Sequence, residues 1–427
     1  MNFKKIFFLS LFFISTCSLL AQDNLFARYT TTENKNKIYR NLINYTINKN
    51  LSLPLNDSTE ANWEDAFGAL ELLLFKNEAV NKKIDHAFAN IQNRSIHFQR
   101  ALWELAYVNY PSLYLPKANE VLQQATDAKI FAMCAEYILQ SKIDSLTLEN
   151  IEEAMMRNFT DDSDDPILSM LSEHITEIKS PSSAFIQNKN FGDILNKDFL
   201  SGEIIMYSFQ RRNRNYPGMV IIRNAAGDFI RDSSGNIFNV PQLARSITNL
   251  PGYLTNGNTP QGIFKMFGFG VSLSSFIGPS PNIQMAMPVE MPLQKFFNDS
   301  TIMDSAWSKE SYGNLLPVNL KNYSPLYHSY FAGLAGRTEI ISHGTTINSE
   351  YYKGQPYYPL TPTQGCLCTK EIWNGRRIES DQKKLINALL KAGGAKGHCV
   401  VIELDDTNKP VNINDVLPHL LKAESFK

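Results

Sequence analysis

Hydrophobic residues recur every three to four positions across residues 60–180. The segments NWEDAFGALELLLF, NEAVNKKIDHAFANI and HFQRALWELAYVNY place apolar residues at positions i, i+3, i+4 and i+7, a spacing that lines one face of a helix. Pro111 and Pro116 interrupt this pattern and separate successive helices. We predict an α-helical domain over residues 60–180, whose short helices suggest hairpin repeats without a strict period. A poorly defined segment over residues 22–59 precedes it.

The pattern changes after two polar stretches, DDSDDP at residues 161–166 and KSPSS at residues 179–183. Beyond them, β-branched and apolar runs of strand length alternate with loops rich in glycine and proline. These runs are MVIIRN (219–224), FIRD (229–232), IQMAMPVE (283–290), TEIIS (338–342) and CVVIEL (399–404). A helix is expected at SDQKKLINALLKAGG, ending on its glycines. The predicted fold class is therefore α+β and multidomain, with a mostly-β domain over residues 190–427.

The length and net charge of the chain limit the classes of function that it can have. A chain of 427 residues with 43% hydrophobic and 11% aromatic residues is long and apolar enough for two folded domains. Its formal net charge of −1 gives no sign of a concentrated basic surface, which phosphate binding requires. Nucleic acid is therefore not the expected partner.

The first residues have the features of an export signal. Two lysines precede an apolar run over residues 6–20, and the small residue Ala21 follows it. This arrangement is typical of a secretory signal peptide, so we predict one over residues 1–21. The run is shorter than the ~20 residues of a membrane-spanning helix, and no second run follows. The mature protein is expected in the periplasm or cell envelope without a stable transmembrane segment, and lipidation at Cys17 stays open.

Four cysteines follow the predicted cleavage site: Cys134, Cys366, Cys368 and Cys399. They are too few for a disulfide-based scaffold in a chain of this length, and an unpaired cysteine in an exported protein commonly has a chemical role. Cys366, in the segment TPTQGCLC, admits three interpretations. It is a nucleophile, a ligand in a zinc set with Cys368, His398 and Cys399, or half of a strained disulfide with Cys368.

His343 is the histidine best placed to serve Cys366. It follows the apolar run EIIS and precedes a glycine, so we expect it at a strand end that faces an open cleft. A thiol with a pKa near ~8.5 is mostly protonated at neutral pH, and an adjacent imidazole can hold it as an ion pair. The segment TKEIW predicts a short helix capped by Thr369. Backbone N–H groups around Gly365 and Cys366 would then point at a developing oxyanion.

Five segments occur in one order along the chain: PGMVIIRNAAGDFI, TNGNTPQGIFKM, IISHGT, TPTQGCLC and CVVIEL. Together they resemble the catalytic domain of bacterial L,D-transpeptidases, and the resemblance covers residues 200–406. It implies that Cys366 is the nucleophile and His343 the general base. It also implies that the backbone carbonyl of Gly344 orients the imidazole.

The cysteine loop matches this family at two positions and departs from it at two others. Thr363 and Gly365 stand where the family has Ser or Thr and Gly. Gln364 replaces the usual histidine, and Cys368 replaces the arginine or asparagine usually found two residues after the nucleophile. With Gly344, residues 363–365 are assigned to an orienting or oxyanion region. The loss of the arginine is expected to change how a substrate is held.

The resemblance implies an exported peptidoglycan L,D-transpeptidase that requires no cofactor and no metal. Its thiol would form an acyl-enzyme with a stem peptide and transfer the acyl group to an amine, a reaction of cell-wall biogenesis that bears on cell shape. Two alternatives stay open: an L,D-carboxypeptidase of the same fold, and an inactive cell-wall-binding domain. The helical region shows no chemistry of its own and is expected to position the enzyme or to bind a protein partner or glycan. The insert NSEYYKGQPYYP between the histidine and the cysteine either lines the cleft or packs the loop.

Overall fold

The structure, a computed structural model, describes residues 27–160, 164–180, 191–302, 306–375 and 378–425. A helical region comes first and a large, mostly-sheet and barrel-like domain follows, which confirms the predicted α+β layout at that level. Within these ranges no helix combines the length and the apolar character that crossing a bilayer requires. The predicted signal peptide and Cys17 lie outside the described residues.

The helical region consists of short helices, several of which begin at a capping side chain. Its α-helices are Thr32–Asn41, Asn50–Ser52, Glu60–Leu73, Glu78–Ala89, Ile96–Asn109, Leu115–Gln124, Ala128–Ser141, Ser145–Asn158 and Pro166–Lys179, with a π-helix at Leu42–Lys49 and 3-10 turns at Arg28–Thr30 and Ile91–Asn93. The side chains of Asn77, Ser95, Asp127, Asp144 and Asp165 each accept a backbone N–H in the first turn of a helix. These bonds satisfy donors that helix geometry leaves free. The first α-helix among the described residues begins at Thr32, within the segment that the sequence pattern did not define.

The second domain is built around an eight-stranded sheet. Its strands are β1 (Ile204–Gln210), β2 (Gly218–Arg223), β3 (Val240–Gln242), β4 (Gly262–Gly270), β5 (Asn282–Ala286), β6 (Ser342–Gly344), β7 (Leu367–Thr369) and β10 (Lys396–Glu403), while β8 (Glu371–Trp373) and β9 (Ile378–Ser380) form a separate pair. The order across the large sheet is β3-β2-β1-β10-β4-β5-β6-β7. Leu243, which follows β3, exchanges two backbone hydrogen bonds of 2.8 Å with Cys368 on β7. The two end strands therefore meet, and the sheet closes on itself.

Helices and short turns surround this sheet. The α-helices are Gly192–Leu195, Leu293–Phe297, Lys309–Gly313, His328–Leu334, Asp381–Ala392 and Leu417–Ser425, and the 3-10 turns are Val318–Leu320, Ser324–Tyr327, Ser349–Tyr352 and Ile413–Asp415. The helix predicted at SDQKKLINALLKAGG is confirmed as Asp381–Ala392. It ends at Gly393, whose φ of 114° lies in the left-handed region that glycine adopts without strain.

Both faces of the central strands are buried. On β1, Ile205, Tyr207 and Phe209 join one hydrophobic cluster, whereas Ile204 and Met206 join another on the opposite face. Successive side chains of a strand point to opposite faces, so an uninterrupted apolar run supplies both clusters at once. The same two-sided burial explains why the runs MVIIRN and CVVIEL, which form most of β2 and β10, are largely apolar and do not alternate with polar residues.

The helical region and the sheet domain share a hydrophobic core. Leu250, Tyr253 and Leu254, from the connection between β3 and β4, are buried among side chains of the helical region. The Tyr253 hydroxyl also donates a 2.6 Å hydrogen bond to Glu136. The separate mostly-β domain predicted over residues 190–427 would be expected to fold without the helices. The shared core argues against that expectation, because removal of the helices would expose these three side chains.

Leu254 provides a test of the shared core. Leu254→Ala should lower the free energy of unfolding of the whole chain by about 2–5 kcal/mol, as is usual when a buried leucine leaves a cavity. Leu273→Ala is the matched control, because Leu273 is 97% exposed and Leu254 is 0% exposed. The control should change the same quantity by less than about 0.5 kcal/mol. Denaturant unfolding followed by circular dichroism measures both, and equal small effects would contradict the shared core.

Candidate active site

His343 and Cys366 come from two neighbouring parallel strands. His343 is the middle residue of β6, and β7 begins directly after Cys366. In the register of this pair His343 lies opposite Cys368, so Cys366 is offset from the histidine by two residues along the strand. The Cys366 thiol lies 3.5 Å from the backbone oxygen of Glu339 and donates to it. The segment that leads into the histidine strand therefore also supports the thiol.

Cys366 differs from the other described cysteines in its exposure. Cys134, Cys368 and Cys399 are buried, whereas Cys366 is half-buried, and none of the four forms a disulfide. Burial raises the pKa of the Cys368 thiol to about 12, which keeps that thiol protonated. The disulfide interpretation is therefore not realised in this structure. Cys366 is the described cysteine that a substrate in solvent can reach.

The zinc set suggested by the sequence is not assembled. His398 and Cys399 lie on β10, which three strands separate from β7 in the sheet, and Cys399 is buried in a hydrophobic cluster. Among the described residues, the group with metal-ligand spacing is Glu173, Glu177 and His328. There His328 Nε2 pairs with a Glu173 carboxylate oxygen at 3.0 Å. The zinc interpretation of Cys366 is therefore wrong.

His343 is held as a neutral base. Its Nδ1 lies 2.6 Å from the backbone oxygen of Gly344. A carbonyl can only accept, so Nδ1 carries the proton and Nε2 keeps its lone pair. Burial lowers the pKa of His343, and the contact with the Gly344 carbonyl opposes this shift only in part. The contact is the one that the resemblance implied for Gly344.

The Cys366 thiol is also neutral at rest. Burial raises its pKa, a backbone contact with Ile341 and the Arg337 guanidinium lower it, and Glu339 raises it further. A thiol with a raised pKa beside a histidine with a lowered pKa favours the uncharged pair over a thiolate–imidazolium ion pair. The ion pair expected from the sequence is therefore not the favoured resting state. No hydrogen bond joins the two side chains within the described residues, and such bonds commonly tighten only when substrate is bound.

The cysteine loop is braced by two threonines. Thr363 Oγ1 donates to the Cys366 oxygen at 2.8 Å and accepts the Gly365 N–H at 3.1 Å. Thr259 Oγ1 donates to the Gly365 oxygen at 2.7 Å, and the Gln364 side chain is exposed. In the part of the chain that the structure describes, the N–H groups of Gln364 and Cys366 donate to no other protein group. These two donors, and not the Gly365 N–H, are available to an oxyanion.

The segment TKEIW is not helical, contrary to the prediction. Leu367–Thr369 forms β7 and Glu371–Trp373 forms β8, and the Thr369 hydroxyl donates to Gln382 Oε1 at 2.6 Å and does not cap a helix. The helix is replaced because strand pairing satisfies the backbone of this segment: Thr369 pairs with Gly344 of β6, and Glu371–Trp373 pairs with Ile378–Ser380 of β9. Any oxyanion donors therefore come from a loop and not from a helix start.

Two tyrosines of the insert NSEYYKGQPYYP pack the loop. Tyr352 and Tyr357 are buried with Leu243 and Leu360. The Tyr352 hydroxyl donates to the backbone oxygen of Leu72 in the helical region at 3.0 Å. The packing alternative therefore holds for these two residues, and they tie the histidine–cysteine connection to the N-terminal helices.

Sequence reasoning missed two charged residues beside the site. Arg337 precedes the histidine strand in the segment LAGRTEIISHG, and its charge acts on Cys366. Glu371 is buried, and a Cβ at Gly344 would lie 2.1 Å from its Oε2, so the glycine makes room for this carboxyl group. The available signal for Arg337 was its place on the approach to His343, whereas nothing in the sequence marks Glu371.

Comparison with known proteins does not assign the chain to a family. No protein-family model matches it, and neither a curated protein nor a solved structure shows significant similarity to it. A functional assignment therefore rests on the geometry of the site and on the sequence resemblance.

Alkylation of the folded chain should label Cys366 and spare the three buried cysteines. Labelling should be slow at mildly acidic pH and should accelerate as the pH rises through the raised pKa of Cys366, because the thiolate fraction grows in that direction. Peptide mapping by mass spectrometry after brief exposure to iodoacetamide, over a series of pH values, measures the rate at each cysteine. Equal labelling of Cys366 and Cys368 would contradict the difference in exposure. A rate already maximal at mildly acidic pH would show that the resting site holds the ion pair.

Proposed function

We propose that the chain is an exported peptidoglycan L,D-transpeptidase that uses Cys366 as nucleophile and His343 as general base. One observation carries this proposal: the half-buried Cys366 thiol lies at the start of β7, and the adjacent strand β6 carries a buried histidine whose Nε2 has no hydrogen-bond partner among the described residues. A nucleophile beside a base that a third group orients is the usual arrangement of covalent acyl transfer. The sequence resemblance supplies the substrate class, the stem peptides of peptidoglycan.

The first half of the proposed reaction forms a thioester. His343 Nε2 takes the thiol proton as the sulfur attacks the carbonyl carbon of an L,D peptide bond in the donor stem. The N–H groups of Gln364 and Cys366 stabilise the oxyanion that results. When this intermediate collapses, the carbon–nitrogen bond breaks and the terminal D-residue leaves as an amine, which takes the proton from the imidazolium of His343.

The second half returns the enzyme to its starting state. An acceptor amine attacks the thioester carbon, His343 removes the extra proton from its nitrogen, and the sulfur leaves and regains that proton. Each of these steps uses groups of the protein and the two substrates alone. A water molecule in place of the amine would give L,D-carboxypeptidase activity through the same intermediate.

The alternative of an inactive cell-wall-binding domain is weaker, because the chain retains the groups that the proposed reaction requires. Gln364 departs from the family, but its side chain is exposed and only its backbone N–H is used in the proposed reaction. Cys368 also departs, but its side chain is buried and its backbone closes the sheet. Neither departure removes a group that the proposed steps require.

Substitution of the two reacting residues should abolish turnover and leave the fold intact. Cys366→Ser replaces the thiol by a hydroxyl that is far less ionised beside the same imidazole, and His343→Ala removes the base. Each should lower the rate by at least ~10²-fold. Cys368→Ala is the matched control, since it removes a buried sulfur from the same loop without touching the proposed chemistry. Rates are read from release of the terminal D-residue, and a Cys366→Ser variant that retains full activity would sink the proposal.

Purified muropeptides should distinguish the three candidate functions. Incubation with the intact chain is expected to give cross-linked dimers whose masses equal two stems minus one free D-amino acid. Loss of one D-residue without dimers would indicate the carboxypeptidase. Unchanged muropeptides that nonetheless bind the protein would favour the inactive binding domain. Mass spectrometry of the products, with Cys366→Ser as the blank, separates these outcomes.

A further inference from the structure

Arg337 is a buried cation that has no carboxylate partner among the residues that the structure describes. Its side chain donates to three backbone carbonyls, those of Gly252, Asn258 at 2.8 Å and Gly257 at 2.9 Å. It takes part in none of the ion pairs found among the described residues, and it is only 6% exposed. A buried charge without a counter-charge is destabilising by several kcal/mol, and burial lowers the pKa of Arg337 to about 10. The burial of the Arg337 charge therefore requires an explanation.

The guanidinium lies against the loop that carries the proposed nucleophile. A Cβ at Gly365 would be 2.3 Å from Arg337 Nη2 and 2.7 Å from the Gly257 oxygen. Gly365 also has a φ of +117°, which side chains other than hydrogen rarely tolerate. The glycine is therefore required for its conformation and for the space it leaves. As a result the cation sits directly beside the residue that precedes Cys366.

We infer that Arg337 is a positioning residue that supplies the counter-charge for the Cys366 thiolate. At rest the thiol is neutral and the cation is balanced only by carbonyl dipoles. When the proton moves to His343, a negative sulfur forms next to a buried positive charge, and their attraction is strong because little water separates them. The inference rests on the proposed function only in taking Cys366 as the nucleophile. It also offers a replacement for the arginine that Cys368 displaces in the sequence pattern.

The position of Arg337 is set by the helical region. Its carbonyl acceptors lie in the connection between β3 and β4, the segment that enters the helical core through Leu254. The helices hold this segment by two further contacts: Lys129 Nζ donates to Thr255 Oγ1 at 3.0 Å, and Asn256 Nδ2 donates to Glu104 Oε2 at 3.0 Å. The helical region thereby contributes to the chemistry without touching the reacting atoms.

Few other charged or titratable groups face this pair. Glu339 lies on the same segment as Arg337 and acts on Cys366 with the opposite sign. His343 lies on β6, and Cys368 lies on β7. The Cys368 thiol interacts electrostatically with Cys366. On the other side, the charge of Lys129 in the helical region acts on Arg337. Removal of Arg337 and removal of Glu339 should therefore move the ionisation of the Cys366 thiol in opposite directions.

The test is the pH dependence of Cys366 alkylation by iodoacetamide in the full chain. The thiolate displaces iodide in this reaction, so the assay requires neither peptidoglycan nor an active His343. Arg337→Gln keeps hydrogen-bond donors for the carbonyls but removes the charge. It should move the profile to higher pH by about one unit or more, which slows alkylation roughly tenfold at a fixed pH below the midpoint. Glu339→Gln, the matched control, should move the profile to lower pH.

Arg337→Lys should give an intermediate profile, because the charge is kept but its planar contact with the loop is lost. A profile that Arg337→Gln leaves unchanged would show that Arg337 only braces the loop and would overturn the inference. If Arg337→Gln does not fold, Arg337→Met decides, because it removes the charge with a side chain of similar length, and a profile identical to that of the parent chain would overturn the inference. A shifted profile in a chain that fails to process muropeptides would keep this role for Arg337 and reject the proposed transpeptidase.

Discussion

Closure of the sheet is the constraint on which the candidate site depends. β7 has only three residues, and a strand this short is held in place by backbone partners on both sides. It pairs with β6 on one side, and Cys368 pairs with Leu243 on the other. This double pairing fixes Cys366 relative to His343 through strand register and not through a side-chain contact. It also explains how Cys368 serves the site with its backbone while its thiol is buried.

A second constraint connects the two halves of the chain. The connection between β3 and β4 carries Leu254 into the helical core and presents three carbonyls to Arg337 on its other side. The insert before Cys366 makes a parallel link, since the Tyr352 hydroxyl bonds to Leu72. Both loops that border the nucleophile are thus anchored in the helices. The helical region is better understood as part of the site's support than as a separate module.

The sequence predicted what depends on periodicity and failed where tertiary partners decide. The amphipathic segments, the helix Asp381–Ala392 and the strands β2, β5 and β10 were predicted, because each pattern reports a buried face directly. The strand predicted at FIRD is wrong, since that segment forms only isolated bridges, TEIIS becomes strand only from Ser342, and β1 and β4 were not predicted. TKEIW has the composition of a helix start, yet Thr369 pairs with Gly344 on β6 and Glu371–Trp373 pairs with the nearby strand β9, so the segment is extended. The place of Arg337 before His343 was the one signal in the sequence, and it did not show the contact with Gly365, which forms only when the chain is folded. The motif around His343 and Cys366 could be found because it is local on each strand.

The charge states at the site suit a nucleophile that must survive outside the cytoplasm, where we propose this protein acts. A permanent thiolate is both the attacking species and the species most readily oxidised. Burial raises the pKa of Cys366 and lowers that of His343, so the resting pair is uncharged and comparatively inert. Arg337 and the free N–H groups of the loop act on negative charge, which appears only during the reaction. The groups that stabilise negative charge are therefore in place before the reaction, while the sulfur is still protonated. They act only when the thiol loses its proton and attacks the substrate.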